Sequence, residues 1–148
     1  MTTMLSKLAS VLHVGDFSLV VANPIISTYN GRGVSDLYRM VSEHDTILLN
    51  AFVADKIVGK GAAALMVLGG VKAIYADVIS SAALQLLRNA SIEVECSVEV
   101  PHIINRKGTD ICPIEKLCSA CSTAEECLPL ITDFLTEMKR RSAQVDNA

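Results

Sequence analysis

Residues 49–76 constrain this chain more than any other stretch, because they spell one complete crossover. Leu49-Asn50-Ala51-Phe52-Val53-Ala54 reads as a buried strand and Asp55-Lys56 as a tight polar turn. Ile57 to Leu68 follows as a helix of small residues, Gly69-Gly70 as its stop, and Val71 to Ala76 as a second strand. A strand that returns parallel to its predecessor needs a connection of a dozen or more residues, usually a helix. The stretch is therefore a βαβ unit, and it sets the fold class as α/β. Sheets of this kind meet ligands at the ends of their strands, where the turn carries Asp55, Lys56 and Lys60.

The flanking segments extend the same layout. Leu5, Leu8, Val11 and Leu12 recur at helical spacing over residues 3–13. Phe17 to Ala22 and Ile25 to Tyr29 read as a hairpin joined by Asn23-Pro24, which gives the sheet an antiparallel edge. Val34, Leu37, Tyr38 and Val41 mark a helix to about Glu43, and Ser80 to Asn89 another with a serine start. Ile92 to Cys96 alternates as a half-exposed strand does, and Pro101 to Ile111 is a long loop. A short helix starts at Cys112-Pro113. A longer one spans Ala124 to Arg141, with Gln144 to Ala148 expected to fray. The sum is a three-layer α/β/α domain with a mixed sheet of about five strands. It is one domain over residues 1–148, with a helical extension from about 112. The Ile57–Leu68 helix is apolar almost all round, so both its sides need cover. The C-terminal helix or a second subunit would supply it, and a homodimer is expected.

Composition narrows the function classes. With 148 residues, 51% apolar, 20% charged and 4% aromatic, the core is built of small aliphatics and needs no metal or disulfide. A net charge of −3 is a poor match to nucleic acid. The longest apolar run, Gly61 to Val71, is about half the ~20 residues of a membrane span. Met1 to His13 lacks the apolar core of a signal peptide, so five cysteines read as reduced thiols in a cytoplasmic protein.

Three constellations could carry chemistry. Arg32, Lys56 and Lys60 fall at strand-to-helix turns, where free N–H groups and the helix dipole favour an anion. The plainer alternative is that both lysines are solvated and Asp55 caps its helix. Gly59 and Gly61 beside Lys60 point to close packing first and close ligand approach second. The loop gathers Asn105, Arg106 and Asp110 before Cys112, a thiol at the mouth of a helix with Glu115 one turn on. His102 and Asp110 could complete a Cys–His–Asp set. The alternative is a structural loop in which Arg106 pairs with Asp110 or Glu115 and Cys112 packs as a small hydrophobe. Cys112, Cys118, Cys121 and Cys127 could hold zinc or an iron–sulfur cluster, although their spacing matches no standard signature and buried free thiols are the plainer account.

Four motifs carry a family resemblance: Gly31-Arg32-Gly33-Val34, Ala54-Asp55-Lys56-Ile57-Val58-Gly59-Lys60, Leu68-Gly69-Gly70-Val71, and Asn105-Arg106-x-Gly108-Thr109-Asp110-x-Cys112-Pro113-x-Glu115. From Gly31 through Glu115 the chain resembles a small uncharacterised bacterial family with a cytidine-deaminase-like fold. True deaminases place His-Ala-Glu or Cys-Ala-Glu, then Pro-Cys-x-x-Cys, at two successive helix starts to hold zinc. The corresponding positions here, near Gly31–Val34 and Ala54–Ile57, contain no His or Cys. Zinc-activated water is therefore not expected. The resemblance implies a deaminase-like domain without zinc and brings no activity of its own; the residues themselves point first to a domain without a cofactor that binds a small anionic metabolite through Arg32, Lys56, Lys60, Asn105, Arg106 and Asp110. The alternatives are a metal-independent enzyme using Cys112 with Asp55 or Glu115 as acid/base, and a cysteine-cluster metal or redox protein.

Overall fold

A computed structural model of the chain describes residues 2–147. Helix α1 (Thr3–Val14) is started by Thr2, whose Oγ1 accepts from Leu5 N at 3.2 Å. Strands β1 (Leu19–Ala22) and β2 (Ile26–Tyr29) form the expected antiparallel hairpin. Helix α2 (Ser35–Ser42) and a 3-10 turn (Thr46–Leu48) lead into β3 (Phe52–Val58), α3 (Lys60–Gly69) and β4 (Ala73–Ser80). Gly70 stops α3 in the left-handed region at φ 80°, where a Cβ would also stand 2.9 Å from Leu49 Cδ1. Helix α4 (Ser81–Asn89) is capped by Ser80, whose Oγ accepts from Ala83 N. Then follow β5 (Glu93–Val100), α5 (Pro113–Cys118) and α6 (Ala124–Asn147).

The five strands lie in the order β2-β1-β3-β4-β5. β1 runs antiparallel to β2 and β3, while β3, β4 and β5 are mutually parallel, so the sheet is mixed with helices on both sides. Helix α1 covers one face over Val20, Ala22, Ala54, Ala73 and Tyr75. Helices α2, α3 and α4 cover the other, over Val21, Val53, Ile74 and Ala76. Helix α6 packs on α3, and residues 60–66 of α3 are consequently buried throughout. The all-round apolar character of α3 is thus met by the chain's own C-terminal helix. Among the described residues, no helix is long and apolar enough to cross a membrane.

Several boundaries moved. Asp55 and Lys56 are not in a turn but inside β3, and the strand continues to Val58. The connection to α3 is Gly59 alone. β4 and β5 run four residues past their expected ends, and α6 continues through Asn147 where fraying was expected from Gln144. Ala148 lies outside the described residues. Short strand runs followed by Asp or Ser look finished in sequence, yet ladder hydrogen bonds to a neighbour carry the strand onward.

The long parallel strands also share a break in alternation. Their register steps from Asp55–Ala76–Cys96 directly to Ile57–Val78–Val98, leaving Lys56, Asp77 and Ser97 outside the ladder. Beyond that level Val58 and Ile79 face the helical layer. Their neighbours Ile57, Val78 and Val98 therefore point to the α1 side, as Lys56 and Asp77 do. Ile57 and Val98 are 55% and 50% exposed there, past the end of α1.

Candidate functional site

The expected site residues fall in several places, beginning with three on or beside β3. Asp55 lies on the helix-facing side of β3, between Leu19 of β1 and Ala76 of β4, both core residues. It is half-buried and makes no ion pair among the described residues. Loss of solvation is the main reason that its carboxyl is pushed up to about 8. The backbone N–H groups of Ile57 and Lys56 pull it down, and the negative charges of Asp77 and Asp36 add to the rise. At neutral pH Asp55 is then largely protonated, so it can donate one hydrogen bond as well as accept. Asp36 stands at the start of α2, where its Oδ2 accepts from Gly31 N at 3.0 Å.

Lys56 points to the opposite side of the sheet and pairs with Asp16, just beyond α1. Beside it runs a polar chain that no local sequence signal marks. His13 Nε2 and Tyr75 OH both meet Asp77 Oδ1, at 2.7 and 2.6 Å, and Tyr75 OH is 2.8 Å from Ser97 Oγ. Burial pushes the Tyr75 hydroxyl up from its ordinary value, and its bond to Asp77 reinforces the shift. These residues come from α1, β4 and β5, and only the sheet brings them together.

Lys60 and Glu115 form the third place, and it is closed. Glu115 is 4% exposed and sits against the start of α3. Its Oε1 accepts from Lys60 N at 2.8 Å and Ser80 Oγ at 3.0 Å, and its Oε2 from Ile103 N at 2.6 Å. The anion expected at this helix N-terminus is thus the protein's own carboxylate. Lys60 is also buried, and its Nζ donates to Cys121 O at 2.6 Å and Ser119 O at 3.3 Å. The neighbouring glycines serve packing: a Cβ at Gly61 would stand 2.4 Å from Ile114 Cγ2, and one at Gly59 3.2 Å from Ile103 Cγ1.

Arg32 and Arg106 are exposed on separate loops, and Lys56 and Lys60 are engaged in different places. Asn105 and Asp110 organise their own loop. Asn105 Oδ1 accepts from Thr109 N at 3.0 Å, and Asp110 pairs with Lys116 at 2.6 Å rather than with Arg106. That pair holds the Asp110 carboxyl below its ordinary value. Cys112 is half-buried at the start of α5, and no hydrogen bond joins it to His102, Asp110 or Glu115. Cys118 and Cys127 are core residues, with Cys112 and Cys121 at the core's margin. Burial pushes the Cys118 and Cys127 thiols upward, away from the thiolate a metal would take. Among the described residues, no group of three or more His, Cys, Asp or Glu is placed to hold a metal ion.

The molecule is therefore a mixed five-stranded α/β domain with an uncompensated acid on the helix side of its central strand. The chain belongs to the TM1506 family, a domain of unknown function (DUF1893), whose model matches residues 7–135. Its fold is similar to the crystal structure of a DUF1893 family protein (TM1506) from Thermotoga maritima, with a TM-score of 0.80 and 24% identity. That match covers 90% of this chain and 91% of the other, and at this identity it speaks for the fold alone. No curated protein matches the chain.

Proposed function

We propose that this domain binds a small molecule at Asp55, within a deaminase-like scaffold that works without zinc. The observation that carries the reading is the placement of Asp55. It is an acid on the core-facing side of a central strand, between Leu19 and Ala76, with no cation opposite it. Such a placement costs stability, and groups kept at that cost concentrate where ligands bind. The ligand class follows from the charges. Lys56 is engaged on the other face and Lys60 is enclosed, while Asp36 and Asp77 add negative charge around Asp55. An anionic metabolite has little to attract it there. A neutral molecule with a donor–acceptor edge, or one carrying an ammonium group, fits a carboxyl poised near 8.

A thermal-shift panel of amines, amides, nucleosides and phosphates on the wild type and on Asp55→Ala tests this. Hits should be neutral or amine-bearing, should raise Tm by mass action, and should vanish in Asp55→Ala. Hits confined to phosphates, hits that survive in Asp55→Ala, or no hit at all would overturn it.

A further inference from the structure

We propose that the C-terminal half of α6 is a dimerisation arm, docking into a groove on a second copy of this chain. The inference is independent of any ligand at Asp55. Helix α6 has 24 residues, a length of about 36 Å. Its burial ends well short of that: Ala124, Cys127 and Ile131 are buried, Phe134 and Leu135 half-buried, Met138 is 50% exposed, and residues 139–144 are exposed. Residues 138–144, about two turns, therefore project beyond the domain, where an isolated helix is marginal in water. The pairs of Glu137 with Arg140 and Arg141 are exposed and add little. Leu128, Ile131, Leu135 and Met138 lie on one stripe, at spacings of three, four and three. The stripe that α6 lays on its own core continues past the edge of that core.

The surface that this overhang needs is present on the same molecule. An open groove of about 550 Å³ runs between α2, α3 and α6, with Val41, Leu49, Leu68 and Leu128 among its apolar lining. Asp45 lines it beside His44 and exposed Glu43 adjoins them, whereas the overhang carries Lys139, with Arg140 and Arg141 shared with Glu137. Apolar stripe and Lys139 on one side thus match apolar lining and the acidic pair Glu43 and Asp45 on the other. Leu128 belongs to the groove and Met138 stands ten residues along the same helix, about 15 Å away. Two α6 helices packed antiparallel about a two-fold place each Met138 on its partner's groove. This is a closed isologous contact that forms both halves at once.

The experiment is light scattering and sedimentation of the full-length protein over about 1–100 µM, a range in which a specific dimer declares itself by mass action. The wild type should be dimeric at the upper end. Met138→Glu should raise the dimer Kd at least tenfold with an unchanged circular-dichroism spectrum. Lys139→Asp and Asp45→Lys should each weaken the dimer, and their combination should restore it to within a few-fold. Asp45 also caps the 3-10 turn through Ile47 N, so Glu43→Lys replaces it if Asp45→Lys unfolds. A monomer at every concentration overturns the proposal. So does a dimer indifferent to Met138→Glu, or a charge swap that restores nothing.

Discussion

Replacing Glu115 tests whether this residue holds the fold or serves chemistry. Glu115→Ala leaves Lys60 N, Ile103 N and the Ser80 hydroxyl without their acceptor. A buried donor stripped of its partner costs about 1–3 kcal/mol. The hydroxyl can turn elsewhere, so two backbone donors set the scale. Losing a negative charge at the start of α3 adds about 0.3–1 kcal/mol. The expected loss is about 2–7 kcal/mol, a large share of the ~5–15 kcal/mol of a typical domain. Glu115→Gln keeps one oxygen for Lys60 N and Ser80 but turns an amide against Ile103 N–H, so it should lose roughly half as much. Urea unfolding at pH 7, followed by circular dichroism, measures both. A loss under about 1 kcal/mol for Glu115→Ala, or a larger loss for Gln than for Ala, would refute the reasoning and return Glu115 to the candidates for acid/base work.

Asp55 predicts a pH dependence of stability. Its folded value of about 8 lies above the ~3.9 of an unfolded aspartate, so the folded state holds the proton more tightly. Its stabilising contribution is complete below about pH 4 and is lost as pH rises through about 8. Tm should accordingly fall across that window by the equivalent of a few kcal/mol, and Asp55→Asn should flatten the curve; an equal slope in the variant would refute the assignment. Gly61→Ala should destabilise by up to about 2 kcal/mol in a urea melt, the ~1–3 kcal/mol of overpacking against Ile114 less the roughly 1 kcal/mol gained in helix propensity. A maleimide time course read by mass spectrometry should label exposed Cys96 first, and Cys118 and Cys127 only as the protein unfolds. Early labelling of either core thiol would count against their burial.

Some of the candidate site is legible in the sequence. The βαβ unit, the hairpin, the Ser80 cap and the Gly70 stop each follow from local chemistry, although β3 runs on to Val58 and α3 starts only at Lys60. The sequence marks Asp55 as a polar turn residue after a strand, whereas the structure holds it inside β3, because a two-residue polar pair inside a long strand looks like a turn. The anion site shows the same limit. A helix N-terminus with flanking lysines asks for negative charge, and sequence cannot say that Glu115, 55 residues onward, supplies it.

The resident sequence alone determined the α/β class, the mixed sheet, the number of strands and a core of small aliphatics, since periodicity and turn chemistry are local. Only the tertiary structure decided which side of the sheet each charge occupies. The shared break at Lys56, Asp77 and Ser97 is a property of three strands in register, and no one of them encodes it. It turns Ile57, Val78 and Val98 to the α1 side, while the ordinary alternation before it points Lys56 toward Asp16 and leaves Asp55 on the helix side, without an ion pair among the described residues. Charges interact through space rather than along the chain, so what Asp55 can do was settled by residues far from it in sequence.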